Sequence, residues 1–94
     1  MGVRPRQRPE RLAEKLLAIR NALGLSQSQT VKSLDAEDLI VPGQISEFET
    51  GKREPSLIML LRYARLANIC VDTLIDDDLD LPAKLPAKSK HPRR

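Results

Sequence analysis

A glycine followed by two basic residues marks the part of this 94-residue chain whose side chains are best suited to binding chemistry. Gly51 is followed by Lys52 and Arg53, and Pro55 and Ser56 close the segment. Lysine and arginine are the usual side-chain donors to phosphate groups. The order predicts a helix that ends at Gly51, a cationic turn that can hold phosphates, and a further helix that begins after Pro55.

No grouping of residues indicates catalysis or metal binding. The chain shows no set of Ser, His and Asp, and the single histidine, His91, has no Cys or acidic cluster beside it. The run Asp76–Asp78 lacks the spacing of a calcium loop, so we expect it to be solvated. Because Cys70 is the single cysteine of the chain, no intrachain disulfide can form, which favours a reducing compartment. We expect Cys70 to be a buried or capping thiol. We expect no enzyme activity, no catalytic residue, no metal and no cofactor.

The net charge of +3 hides an uneven distribution. All 13 acidic residues lie within residues 9–81, whereas residues 1–8 and 82–94 carry only basic charge. Basic ends attract a polyanion such as nucleic acid, although charged tails can also serve only to keep a small protein in solution. No apolar stretch approaches the length of a membrane span, and no apolar segment of a secretory signal follows the first arginines. We expect a cytoplasmic protein with no membrane partner.

The apolar periodicity predicts an all-α fold of five short helices, which must position the basic turn. We expect these helices within residues 9–81, with a flexible basic arm at 1–8 and a disordered basic Pro/Lys tail at 82–94. The first helix can begin at Pro9 and ends at Gly24. Its apolar stripe consists of Leu12, Leu16, Ile19 and Leu23. A capping box of Ser26 and Gln29 opens the second helix.

The remaining helices follow from the same signals. A third helix begins near Pro42 and buries Ile45 and Phe48, while the preceding residues 39–41 fit either one more helical turn or an extended stretch. Ser56 caps the fourth helix. The fourth helix has an apolar stripe of Leu57, Leu60, Leu61, Ala64 and Ala67. A fifth short helix covers Asp72 to Ile75, with Asp72 at the positive end of its dipole.

In this order, the residues resemble a known family. The stretch from Leu12 to Ile75 is similar to the lambda-repressor-like helix-turn-helix domains of the Xre, or phage repressor/Cro, type. The matching positions are Arg20, Gly24–Gln27, Ile45–Ser46, Glu49, Gly51–Lys52, Pro55–Leu57, Leu60, Ala64 and Val71–Ile75. The resemblance implies a sequence-specific DNA-binding transcriptional regulator that acts as a repressor, in a prokaryotic or phage context, and places its third helix in the major groove. We therefore expect double-stranded DNA as a partner and a homodimer.

The resemblance also implies roles for particular residues. Gln27 at the start of the second helix is expected to contact a DNA phosphate, although a surface glutamine can simply support the cap. Phosphate contacts are likewise implied for Ser46, Thr50, Lys52 and Arg53, although the last two can be a solvated charge pair. The family's Arg–Glu pair, which ties the first helix to the third, corresponds to Arg20 and Glu49, unless the two are independent surface charges.

Base reading is expected from the start of the third helix, at Pro42, Gly43, Gln44 and Glu47. Two departures from the family bear on it: the link before this helix is longer than usual, and Pro42 and Gly43 offer no side-chain donors. Gln44 can pair with adenine, and Glu47 can accept from cytosine or repel phosphates.

Two alternatives remain open from the sequence. Ile58 and Met59 are apolar where relatives are polar, so they either form a contact surface of a homodimer or pack against the fifth helix. The second alternative concerns function. Instead of a sequence-specific DNA-binding regulator, the chain can be a protein-interaction or antitoxin-like module on the same fold, with weak or lost base reading. The acidic residues favour that alternative if they make the reading face negative; they are Asp35, Glu37, Asp38 and Glu47.

Overall fold

The computed structural model describes residues 8–86, and this part of the chain contains five α-helices and no strand. The helices are α1 (Leu12–Leu23), α2 (Gln27–Ser33), α3 (Pro42–Thr50), α4 (Leu57–Ala67) and α5 (Val71–Ile75). The predicted all-α fold of five helices is confirmed. The longest helix has 12 residues, and no described helix is long and apolar enough to cross a membrane. Most of the expected basic arm and basic tail lies outside the described residues.

Residues in the left-handed conformation end three of the helices. Gly24 (φ 69°) and Gly51 (φ 80°) follow α1 and α3, as the sequence predicts, and Asn68 (φ 60°) follows α4. At each end, at least two amides bond back to carbonyls of the last turn, for example Lys52 N to Glu47 O at 2.9 Å. This Schellman pattern satisfies carbonyls that the helix itself leaves unpaired. The direction of the basic turn is therefore set by the conformation of Gly51.

The N-terminus of α1 is capped from the far end of the domain. The helix begins at Leu12, so the expectation that Pro9 opens it is wrong. Arg11 stands at the N-cap position, but its side chain makes no cap bond. The Asp77 carboxylate instead accepts from Glu10 N at 2.9 Å and from Arg11 N at 3.0 Å. These bonds, first that from Glu10 N, lower the pKa of Asp77 below its usual value.

Lys15 joins α1 to the same C-terminal segment. Its buried Nζ donates to three backbone carbonyls, those of Thr73, Asp76 and Leu79, at 2.8, 2.9 and 2.7 Å. An ammonium group has three donors, so this buried charge is fully satisfied. The acidic run is therefore not simply solvated, because Asp77 caps α1 and the Asp76 carbonyl binds Lys15.

The core is made of aliphatic side chains together with Phe48 and Tyr63. Its buried members are Leu12, Leu16, Ile19, Val31, Leu34, Ala36, Ile45, Phe48, Met59, Leu60, Tyr63, Ala64, Ala67 and Leu74. The predicted stripe of α4 is wrong at Leu57, which is 83% exposed. Met59 and Tyr63 point inward instead, because positions 59, 60, 63, 64 and 67 share one face of a helix with 3.6 residues per turn.

Several apolar side chains around α4 and α5 remain on the surface. Ile58 is exposed, whereas its neighbour Met59 is buried in the core, so packing inside the domain accounts for Met59 but not for Ile58. Ile75 and Leu79 are exposed as well. Cys70 stands at the N-cap of α5 but is exposed and makes no cap bond, so the expectation of a buried or capping thiol is wrong.

A compact turn connects α2 to α3. The buried Ala36 anchors it, and its carbonyl accepts from the amides of residues 39 and 40 at 2.9 and 3.0 Å. Val41 is extended (φ −116°, ψ 161°), so neither expected conformation describes all of residues 39–41. Asp35 takes the left-handed conformation (φ 55°), and Arg62 of α4 donates to its carbonyl at 2.6 Å. Arg62 thereby holds the longer link against α4.

Candidate nucleic-acid interface

The first two turns of α3 form the face on which the sequence places base contacts. Pro42 occupies the first helical position, where a missing N–H leaves nothing unpaired. Ile45 and Phe48 are buried, whereas Pro42 and Gly43 are exposed on another side of the helix. Among the described residues, no heavy atom beyond the local backbone lies within 4 Å of the point where Gly43 would carry a Cβ. This face is therefore open to a partner.

A cap bond restricts what Gln44 can read. Its Oε1 accepts from Val41 N at 3.1 Å across the first turn of α3. Valine has no side-chain acceptor, so only this half of a capping box forms. The bidentate pairing of glutamine with adenine uses both the oxygen and the nitrogen of the amide. Gln44 can donate to a base as it stands, and its Oε1 keeps a second lone pair, but the bond to Val41 N limits how the amide can turn to pair with adenine in that way.

Glu47 and Arg53 form an ion pair across the turn that ends α3. Arg53 Nε donates to Glu47 Oε1 at 2.7 Å, and the side chains are 53% and 40% exposed respectively. The main chain supports the pair, because Lys52 N and Arg53 N both donate to Glu47 O, at 2.9 and 3.2 Å. A residue expected to read bases is thus paired with one expected to hold phosphate.

The Glu47–Arg53 pair was not predicted from the sequence. Side chains that pair along one face of a helix are three or four positions apart, whereas Glu47 lies in α3 and Arg53 lies after the helix has ended at Gly51. The signal was nevertheless present, because Gly51 predicts a Schellman turn that bonds the following residues back to the carbonyl of residue 47. Such a turn returns the side chain of residue 53 towards the third helix.

Arg20 fixes α3 to α1. Its Nε and Nη2 donate to the two carboxylate oxygens of Glu49 at 2.6 and 3.0 Å, and its Nη1 donates to Leu25 O at 3.0 Å. The Arg20 and Glu49 side chains are 18% and 5% exposed. Hydrogen bonding to Glu49 raises the pKa of Arg20 above its usual value. The forked bond joins α1, the turn before α2, and α3, so these residues are not independent surface charges.

Tyr63 of α4 lies within electrostatic range of this ion pair. Burial, followed by the negative charge of Glu49, raises the pKa of the Tyr63 hydroxyl far above its usual value. Within residues 8–86, this hydroxyl is the buried side-chain polar atom that has no hydrogen-bond partner. Tyr63 therefore stays neutral at physiological pH and does not compete with Glu49 for the charge of Arg20.

The residues expected to hold phosphate differ in the freedom of their polar groups. Lys52 is exposed, and no ion pair between described residues includes it. Gln27 is half-buried at the first position of α2, which packs against α3. The Thr50 hydroxyl lies 3.0 Å from Ser46 O and 3.3 Å from Glu47 O, so its proton is directed to helix carbonyls. Lys52 is consequently the most available cation beside α3.

The five helices, with α2 packed against α3 and α3 held to α1 by Arg20 and Glu49, define a helix-turn-helix domain. A family model described as Helix-turn-helix matches residues 16–70, and the chain belongs to this Xre-like family. The protein is accordingly a DNA-binding transcription regulator and not an enzyme. The predicted family is confirmed.

A solved structure shares the fold. The chain is similar to the P22 c2 repressor, whose crystal structure was determined in complex with the synthetic operator 9T in the presence of Tl⁺. The TM-score is 0.62 and the sequence identity 24%, and the match covers 71% of this chain and 96% of that chain. Comparison with curated proteins finds no match. At this identity, the similarity establishes the fold.

Proposed function

We propose that this protein is a transcriptional repressor that binds double-stranded DNA as a homodimer and places α3 in the major groove. The observation that carries the proposal is the exposed face of Pro42 and Gly43 on a helix that Arg20 and Glu49 hold in place. A recognition helix needs both features, because its first turns contact base edges while the preceding helix crosses the backbone. The P22 c2 repressor, which shares the fold, was solved with an operator.

We assign the backbone phosphates first to Lys52 and Gln27, which flank the two helices of the motif. Ser46 lies within α3, four residues before Thr50, and is half-buried. Thr50 must rotate its hydroxyl away from helix carbonyls before it can donate to a phosphate, so it contributes less than Lys52. Arg53 keeps guanidinium donors beyond the one that binds Glu47.

The homodimer is supported by the exposed apolar side chains of Leu57 and Ile58 on α4 and of Ile75 and Leu79 near α5. Burying apolar surface between two copies stabilises association, and large side chains gain most from it. A two-fold dimer presents two α3 helices to half-sites about 34 Å apart, which is one turn of the duplex. Selection of bound duplexes from a random library should therefore return a palindrome.

Fluorescence anisotropy with a selected duplex tests the proposal. The logarithm of affinity should fall linearly with the logarithm of salt concentration, by a slope of about −0.9 for each neutralised phosphate. Lys52→Ala should reduce the slope by about one such unit. Arg65→Ala removes the same charge from an exposed position of α4 and serves as the matched control. If the protein binds no duplex even at low salt, the proposal is wrong.

A protein-interaction or antitoxin-like module is the second candidate, and the link before α3 is the observation that favours it. Asp35, Glu37 and Asp38 are all exposed there, and Leu39 and Val41 expose apolar surface beside them. Acidic charge in front of the reading helix opposes DNA, whereas exposed apolar side chains suit a protein partner. If the protein binds no duplex but is recovered in a stable complex with another protein, this alternative is established instead.

A further inference from the structure

We propose that Glu47 and Arg53 act as one reading unit, in which Arg53 positions the Glu47 carboxylate to accept from the N4 amine of a cytosine. This inference rests on the proposed placement of α3 in the major groove. Cytosine presents an amine donor there, for which a carboxylate is the matching acceptor. Adenine also presents an amine, but its neighbouring N7 is an acceptor and repels a carboxylate.

The first support is that the pair is organised before DNA arrives. Arg53 Nε holds Oε1 of Glu47 at 2.7 Å, and the bonds of Lys52 N and Arg53 N to Glu47 O fix the turn that carries the guanidinium. A side chain held in advance loses less conformational entropy when it binds. The described bonds of the carboxylate use Oε1, so Oε2 is the oxygen offered to the base.

The second support is the space in front of Glu47. Gly43 lies one helical turn before Glu47 in α3, on the same side of the helix. Gly43 is exposed and has no side chain, and no described heavy atom lies where its Cβ would be. The Oε1 of Gln44 is meanwhile engaged by Val41 N. The Glu47 side chain is itself 40% exposed, so a base edge that approaches α3 beside the open turn at Gly43 can reach its carboxylate.

The third support is charge. A lone carboxylate in the major groove is repelled by phosphates, and the arginine beside it cancels that charge locally. The guanidinium has five donors, and the bond to Glu47 uses one of them. The Nη groups of Arg53 therefore remain available to a phosphate while Nε orients Glu47. In this arrangement Arg53 is a positioning residue, and its loss affects base preference as well as affinity.

The experiment measures base preference and affinity separately. After selection of a consensus duplex with the wild-type protein, each C·G pair is exchanged for T·A, and dissociation constants are measured for the consensus and exchanged duplexes. The wild type should discriminate by about 5- to 150-fold at one position of each half-site. Glu47→Ala should bring that ratio close to one, and Arg53→Ala should lower it. Lys52→Ala, the matched control, should weaken binding to both duplexes and keep the ratio.

Arg53→Lys tests geometry, because it retains the charge but lacks the planar fork of the guanidinium. We expect Arg53→Lys to lose the discrimination between C·G and T·A as Arg53→Ala does, and not to retain it as the wild type does. Both side chains are on the surface, and circular dichroism of each variant checks that the helices are intact.

The outcomes separate this inference from the proposed function. If the wild type binds no duplex, both fail. If it binds a consensus duplex but Glu47→Ala keeps every base preference, only the reading unit is refuted. If Arg53→Ala weakens both duplexes equally with the ratio unchanged, Arg53 is a phosphate contact and its positioning role is refuted. A consensus without a Glu47-dependent C·G pair also overturns the inference.

Discussion

Replacing Arg20 by alanine should be among the most damaging single changes in this domain. The substitution removes both bonds to Glu49 and the bond to Leu25 O. It leaves a carboxylate whose side chain is 5% exposed without its cation. The perturbation therefore acts at the joint between α1 and α3, away from the exposed base-reading face.

The magnitude follows from the burial of the pair. Removing one partner of a buried ion pair destabilises a protein by about 3–5 kcal/mol, because the other charge remains buried. The free energy of unfolding of a natural domain is about 5–15 kcal/mol in total. Each kcal/mol shifts the melting temperature of a domain this small by about 4–8 °C, so we expect a decrease of at least about 12 °C.

Glu49→Gln should be milder. It preserves the shape of the side chain and one acceptor, and it loses the charge that strengthens the bonds, which costs about 1.5–3 kcal/mol. The double variant measures the coupling between the two residues, which we expect to be about 0.5–3 kcal/mol. A coupling near zero would mean that the residues act independently despite their 2.6 Å contact.

Urea unfolding followed by far-ultraviolet circular dichroism is the appropriate assay. A lower midpoint at an unchanged slope reports a loss of stability. Arg65→Ala also removes an arginine, but from an exposed position of α4, so it should change stability by no more than about 0.5 kcal/mol. If Arg20→Ala and Arg65→Ala unfold at the same urea concentration, the role assigned to the Arg20–Glu49 pair is refuted.

Three further predictions concern the ends of the helices. Lys15→Met leaves three backbone carbonyls without their donor and should destabilise the protein by at least about 1–3 kcal/mol in the same urea assay; an unchanged midpoint would contradict the contacts of Nζ. Asp77 has a lowered pKa in the folded state, so its stabilising contribution is present above its unfolded pKa of about 3.9 and is lost as the pH falls through the lower folded value. Asp77→Asn should therefore unfold more easily than the wild type at pH 7, and the difference should shrink towards pH 3, whereas Asp78→Asn should follow the wild type throughout. Gly51→Ala places a side chain at φ 80° and should cost about 1–2 kcal/mol through backbone strain alone, since the nearest heavy atom lies 4.0 Å away; a thermal melt equal to that of the wild type would refute this.

The helix boundaries were largely predictable because their signals are local. Gly24 and Gly51 end helices through their own backbone freedom, and Ser26 pairs with Gln29 only three residues away. The phase of α4 was predicted less well. The apolar spacing places Leu57 on the buried face, yet that face begins two residues later at Met59. A run of consecutive apolar residues contains no polar position that marks which side faces water.

Long-range polar contacts were not predictable in the same way. Lys15 and Asp77 meet partners that lie 58 to 67 residues away in the chain, and spacing carries no information about such contacts. Lys15 did give one usable signal, because it falls in the apolar phase of α1 between Leu12 and Leu16. A lysine at that position must find acceptors inside the protein.

The candidate site was predictable to the level of position but not of bonding. The pairing of Arg20 with Glu49 followed from the family resemblance, and the structure places them in contact. The turn predicted at Gly51 returns residue 53 towards α3, but the bond between Arg53 Nε and Glu47 Oε1 depends on side-chain geometry that the sequence does not carry. Roles of these residues towards DNA remain predictions that binding measurements decide.

The Asp77 cap makes the two ends of the helical domain a single unit of local opening. Terminal helices usually fray independently, and their amide hydrogens exchange with solvent faster than those of the core. Here the amides of Glu10 and Arg11 are held by a residue that follows α5, while Lys15 holds the carbonyls of the same segment. Hydrogen exchange at the start of α1 should therefore match that of residues 76–79, and Asp77→Asn should accelerate both together.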